Sequence, residues 1–271
     1  MDGPTGGRSP GGSGVGHRWL LVDAGVLVAV AGSLAAVHVL LPEATAEGFA
    51  LDYADPDPLA LWASAFVHAS DGHLLENLLG GFCSGGVAYL LCLQADRRRW
   101  FHRTLVAFLT VLPVVVSLAS LATFAHLGVT PPPGRGFSGV TAGFGGFALT
   151  ALLVWLRQFY DRAAVASVLL LVAVALGLEL FWIYDVALVG PPLVAFGLGV
   201  VVAFVGVRDE VFWRIDHVAQ LGYAALVVVF LGVFVHGLFP STVVQDGAVV
   251  NVVGHAVGFV GGAVVGYLTL W

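Results

Sequence analysis

Eight runs of apolar residues, each about as long as a bilayer is thick, follow one another along this chain, near 19–41, 74–93, 104–127, 138–156, 163–183, 187–207, 218–239 and 250–271. A hydrocarbon core of about 30 Å takes roughly 20 helical residues. Inside lipid every backbone polar group must find its partner within the protein, which leaves only helices or a closed barrel. Barrel strands are segments of about 10 residues alternating apolar and polar, and the run Leu105–Ala125 does not alternate. Composition agrees, with 59% hydrophobic and 10% charged residues and a mean hydropathy of +0.95, values of polytopic membrane proteins. The expected fold class is an all-α polytopic membrane protein, a bundle of about eight transmembrane helices.

Arginine sets the expected orientation, because the chain has no lysine and 11 arginines. With a cytoplasmic N-terminus, Arg8, Arg18, Arg97, Arg98, Arg99, Arg103, Arg157, Arg162, Arg208 and Arg214 fall inside and only Arg135 outside. This bias is the positive-inside pattern of a multi-pass cell-membrane protein. Adding or dropping one helix would put Arg208 and Arg214 on the wrong face, so it also supports the helix count. The outer loops carry acids instead: Glu43, Glu47, Asp52, Asp55, Asp57, Asp185 and Asp246.

Residues 1–18 are rich in Gly, Pro and Ser and read as a disordered cytosolic tail, leaving 19–271 as one transmembrane domain. The first apolar run exceeds the 7–15-residue core of a signal peptide and reads as a retained helix. Cys83 and Cys92 lie nine residues apart on one helix and face different sides, which suits neither a disulfide nor a metal site. Two acids fall inside spans, Asp23 in the first and Glu179 in the fifth. Each lies within reach of an interface, to which it can snorkel, although charges in a bilayer are often functional.

By this topology the second, fourth and eighth spans run in the same direction, and their first residues share one depth. Those residues include His73, Asn77, Ser138 and His255. A serine hydroxyl needs an adjacent base to become a nucleophile, and the tetrahedral intermediate needs donors aimed at its oxyanion. Ser138, at a helix N-terminus, offers its own unpaired backbone N–H and the positive end of the macrodipole. Gly136 and Gly139 on either side permit close backbone approach. His255 is the candidate base. His73 and Asn77, four apart, share a helix face and supply candidate side-chain donors. Gly254, Gly258, Gly262 and Gly266 recur every four residues on the last span, a smooth stripe that admits a neighbouring backbone. Gly139 and Gly143 form the matching stripe, and packing the two brings His255 towards Ser138.

These residues resemble the rhomboid intramembrane serine proteases. Gly136-Phe137-Ser138-Gly139 is similar to the family's G-x-S-G, His255 with Gly258 and Gly262 to its H-x-x-G-x-x-x-G, and His73 with Asn77 to its H-x-x-x-N. The stretch from Pro58 to His68 also looks like the family's approach to the second helix. The resemblance covers roughly 19–157 and 250–271. It implies a rhomboid-like bundle in which Ser138 is the nucleophile, His255 the general base and then acid, and His73 and Asn77 line the oxyanion hole. It also implies transmembrane protein substrates as partners, in a lipid bilayer, with no metal, cofactor or nucleic acid.

Three features depart from the family pattern. Leu59 and Ala60 stand where Trp-Arg is frequent. Ala142 stands where an aromatic commonly packs on the catalytic histidine. Three spans, rather than one, separate the serine and histidine helices, which preserves parity. A second histidine segment, His217 to Gly222, carries Gln220 in place of the first glycine and begins at the opposite face. The departures motivate an alternative, a proteolytically inactive rhomboid-like protein that binds transmembrane clients. A small-solute transporter would rest on the extra spans, Asp23 and Glu179, but no internal repeat supports it.

Overall fold

The structure, a computed structural model, describes residues 17–184, 218–241, 244–245 and 248–271. The expected span 187–207, His217, Arg208, Arg214, Asp185 and Asp246 lie outside the described residues. What is described is almost wholly helical: α1 (His17–Leu40), α2 (Glu43–Gly48), α3 (Ala60–Ala63), α4 (Asp71–Gln94), α5 (Arg98–Thr110), α6 (Leu112–Leu127), α7 (Ser138–Leu156), α8 (Arg162–Tyr184), α9 (Val218–Leu238) and α10 (Val252–Leu268). A single 3₁₀ turn, Ser64–Phe66, follows α3, and an antiparallel pair, Val244–Gln245 with Ala248–Val249, joins α9 to α10. Among the described residues five helices are long and apolar enough to cross a bilayer, or six if the bent pair α5–α6 counts as one. α10 is shorter, at 17 residues.

The run 104–127, read as one span, is two helices meeting at 45°. The cause is Pro113 in the first turn of α6. Proline has no N–H and its ring crowds the carbonyl four residues back, so the ladder breaks there and Leu109 loses its intrahelical donor. Trp62 fills the gap: its indole Nε1–H donates to the Leu109 carbonyl at 2.8 Å. The kink thus becomes an anchor for the segment leading into α4. Trp62 fixes that segment together with Asp57, which accepts from the Leu59 N–H at 2.7 Å, and with a Leu51–Gly134 bridge whose two bonds are 2.8 and 2.9 Å.

α7 is the central helix. In its most apolar stretch 83% of residues are buried inside the protein, against 11% for α1. Its small residues allow this, because a helix with Gly139, Ala142, Gly143, Gly145 and Gly146 on several sides can be approached closely all round. Against α10 the approach reaches backbone contact. A Cβ on Gly258 would collide with the Gly139 carbonyl, one on Gly262 with the Gly143 carbonyl, and one on Gly266 with the Phe147 ring. The partners advance together along both helices, so α7 and α10 are parallel. Gly254 is the exception in the stripe, since its neighbour is the side chain of Asn251 rather than α7. Thr150 Oγ1 extends the seam by donating to the Ala263 carbonyl at 3.1 Å. α4 is also parallel to α7: Thr141 Oγ1 donates to the Asn77 carbonyl at 3.3 Å, and Gly85 faces Phe144.

α1 runs antiparallel to α4, pinned at both ends. Asp23 does not snorkel but is 1% exposed. It accepts from Tyr89 Oη at 2.6 Å, lies 2.9 Å from His102 Nε2 and takes a forked contact from the Arg98 guanidinium. A carboxylate in so dry a place is tolerable only with its partners. At the other end His38 Nε2 meets Asp71 Oδ1 at 2.8 Å. Glu179 likewise has a partner, His236 Nδ1 at 3.4 Å.

The glycine seam generates a direct expectation. Gly262→Leu forces two backbones apart and lowers stability by about 1–3 kcal/mol or more, read as a fall in the thermal midpoint in detergent. Gly25→Ala on α1, where an added Cβ meets nothing within 4 Å, leaves the midpoint nearly unchanged.

Candidate functional site

Because α4, α7 and α10 are parallel, their N-terminal ends meet in one layer, and the corner at Gly136 is where they converge. Gly136 has φ +127, a conformation that side chains rarely adopt, and its N–H donates to the Ser64 carbonyl at 2.9 Å. A Cβ at this position would fall 2.7 Å from His73 Nε2 and 3.4 Å from Asn77 Nδ2. Glycine is therefore demanded twice, by backbone angle and by the two side chains pressed against it. Two residues on, Ser138 opens α7 half-buried. Phe137 at its N-cap makes no side-chain bond to this helix, and the N–H groups of the first turn, as in any helix, have no intrahelical acceptor.

Asn77 is 4% exposed, and its Nδ2 is buried without a hydrogen-bond partner. An unpaired buried amide costs about 1–3 kcal/mol, and such groups concentrate where function needs them. Beside the corner that leads into Ser138 the described residues thus gather donors: the first-turn N–H groups of α7, with no bond from the N-cap side chain, and the unpaired Asn77 amide. The arrangement suits a transient negative charge on an oxygen.

His255 sits in the first turn of α10, 8% exposed. Asn251 starts this helix, accepting from the Gly254 N–H at 2.8 Å through Oδ1 while its Nδ2 donates to Ser120 Oγ at 3.0 Å and Tyr53 Oη at 3.3 Å. Burial pushes the Tyr53 phenol up to about 12, so it stays protonated. One amide side chain therefore ties the α10 start to α6 and to the segment before α3. The α7–α10 contact at Gly139 and Gly258 follows Ser138 by one residue and His255 by three, which puts both side chains at the top of the same seam. Among the described residues the one side-chain hydrogen bond of His255 goes from Nδ1 to the Leu238 carbonyl at 2.6 Å, and none joins it to Ser138. The Phe239 ring stands perpendicular to the imidazole at 6.3 Å. Ala142, expected to leave His255 without an aromatic neighbour, instead makes room for Val235, Leu238 and Phe239.

All ten residues singled out from the sequence lie on these three helices and the corner before α7: Ser138, His255, His73, Asn77, Gly136 and Gly139 in the layer, and Gly258, Gly262 and Gly266 along the seam, with Gly254 facing the Asn251 cap. Sequence reasoning missed His68. It is 5% exposed, its Nε2 accepts a long 3.4 Å hydrogen bond from the Phe137 N–H, and its ring packs edge-on to His73 at 5.4 Å. The resemblance of the stretch Pro58 to His68 ends on this histidine, but it assigned the residue no role in the site. Burial, then the charges of His73 and His38, pull its pKa from 6.5 to about 3. Asn251 was missed as well, and the signal that points to it is an Asn standing just before an apolar run, the place of an N-cap. No protein family, curated protein or solved structure matches the chain.

The buried neutral His68 gives a signed pH dependence. Its folded pKa lies below its unfolded one, so its contribution to stability is whole above about pH 6.5 and is lost as pH falls towards 3. His68→Gln flattens that part of the profile, measured as thermal midpoint against pH beside wild type; an identical slope would contradict the burial of a neutral ring.

Proposed function

We propose that this chain is an intramembrane serine endopeptidase of the rhomboid type, cleaving transmembrane or membrane-proximal segments of membrane proteins. The observation that carries the reading is the convergence of unpaired donors, Asn77 Nδ2 and the uncapped start of α7, on the corner that presents Ser138. Ser138 attacks the scissile carbonyl while His255 takes its proton. The oxyanion settles against the α7 N-terminus, Asn77 and His73, which lowers the barrier because these donors are already oriented in a water-poor site. Collapse passes the proton from His255 to the leaving amine, and a water then repeats the sequence on the acyl-enzyme.

The reading includes a cell-membrane bundle of eight spans with the N-terminus in the cytoplasm and the catalytic layer near the outer face. The arginines support it: Arg18, Arg97, Arg98, Arg99, Arg103, Arg157 and Arg162 sit at the helix ends opposite the Ser138 layer. A substrate helix hides its carbonyls in hydrogen bonds, so it must unwind before attack, and small or helix-breaking residues near the cut follow from that requirement.

A second reading has one observation in its favour, the missing bond between Ser138 and His255: an inactive protein of the same type that binds transmembrane clients. Catalytic hydrogen bonds are often long before substrate arrives, and the orphaned Asn77 amide has no role in client binding alone. A fluorophosphonate probe separates the two. The account expects wild-type protein in detergent to label, Ser138→Ala and His255→Ala to lose labelling, and Asn77→Ala to label about 10²-fold more slowly, as when one oxyanion donor is removed. A folded wild type that does not label beside an active control enzyme decides for client binding.

A further inference from the structure

The last turn of α9 has a feature the proposed chemistry does not yet use. Pro240 follows this helix closely and has no N–H to offer the carbonyls of its final turn. One of them, Leu238, meets His255 Nδ1 at 2.6 Å. A carbonyl only accepts, so Nδ1 must carry the proton, and a neutral imidazole then bears its free lone pair on Nε2. Phe239, the next residue, walls the same ring edge-on at 6.3 Å. The contact is buried, Leu238 being 8% and Phe239 5% exposed, against Ala142 of the serine helix at 0%.

We propose that the Leu238–Phe239 turn of α9 is the positioning element for His255, holding its tautomer through the Leu238 carbonyl and its ring plane through Phe239. The inference rests on the dyad reading and supplies what a dyad lacks, a third group to orient the base. A backbone carbonyl does this without burying a carboxylate, whose desolvation in the bilayer would be costly. It adds a second effect. The C-terminal end of a helix carries partial negative charge and stabilises a cation placed against it. As the proton leaves Ser138, the negative oxygen develops at the positive end of α7 and the imidazolium at the negative end of α9. His255 itself stands on the first, positive turn of α10, and the carbonyl end of α9 supplies the negative partner that the imidazolium needs against it. Leu238 and Phe239 touch no substrate and are positioning residues.

The test reads the imidazole itself. In full-length protein carrying ¹⁵N-histidine, the His255 signal is assigned by its loss in His255→Gln. The expected spectrum has a protonated Nδ1 and a bare Nε2, and Phe239→Ala converts it to the averaged shifts of exchanging tautomers, while Phe239→Tyr keeps the wild-type pattern. Fluorophosphonate labelling falls by about 10- to 100-fold in Phe239→Ala, part of what a positioned base contributes, and recovers in Phe239→Tyr. A proton on Nε2 in the wild type overturns the proposal even if Phe239→Ala fails to fold, as does a Phe239→Ala protein with unchanged tautomer and labelling. Absence of labelling in a wild type with the expected Nδ1–H pattern would sink the protease reading and leave the positioning intact.

Discussion

The arrangement depends on one contact, the backbone-to-backbone packing of α7 on α10. Within lipid, helices gain little from burying apolar surface against each other, so association rests on van der Waals fit and on how closely the backbones approach. Gly139 against Gly258 and Gly143 against Gly262 carry that approach to its limit. A Cβ at Gly258 or Gly262 would run into the Gly139 or Gly143 carbonyl and push the two helices apart. The proposed pairing of Ser138 with His255 thus depends on the seam. The polar bonds that flank it, Trp100 Nε1 to the Gly266 carbonyl at 2.7 Å and Thr104 Oγ1 to Thr269 Oγ1 at 2.6 Å, hold the far end of α10 in place.

The second constraint is the shared direction of α4, α7 and α10, which stacks three N-termini in one layer, while the antiparallel α9 brings a C-terminus to the same level. A layer built this way is electrically uneven: donors around Ser138, an acceptor behind His255. The chain also leaves the layer partly unsatisfied. Asn77 Nδ2 and His68 Nδ1 are both buried without partners, a cost that the rest of the bundle offsets through the dense packing of α7.

Much of this was legible in the residues because membrane helices obey simple periodicities. The four-residue glycine repeat on α10, the His-x-x-x-Asn spacing on α4 and the parity that puts their ends at one depth are all one-dimensional facts with three-dimensional consequences. What escaped was of two kinds. Pro113 was visible inside the run 104–127, but hydropathy averages over it, so a 45° break was read as one straight span. Partnerships across long separations left no periodic trace: Asp23 with Arg98 and Tyr89, Trp62 with Leu109, and His68 with Phe137. The support of His255 by Phe239 belongs to this group. The deficit at Ala142 was plain in the sequence, whereas its compensation lies 97 residues away on another helix. The expected span 187–207 and His217 lie outside the described residues.

Peptide hydrolysis in a bilayer asks for a nucleophile at a depth that both water and an unwinding helix can reach, and the end-of-helix layer at Ser138 meets that demand. The most direct measurement is cleavage of a reporter with a single transmembrane segment, co-reconstituted in liposomes with the wild-type protein or with Ser138→Ala, the products weighed by intact mass spectrometry. The account predicts one cut at or just inside the membrane edge on the Ser138 side, beside small or helix-breaking residues, and none with Ser138→Ala. Cleavage that persists in Ser138→Ala, or that proceeds equally well in an all-leucine segment, would contradict it.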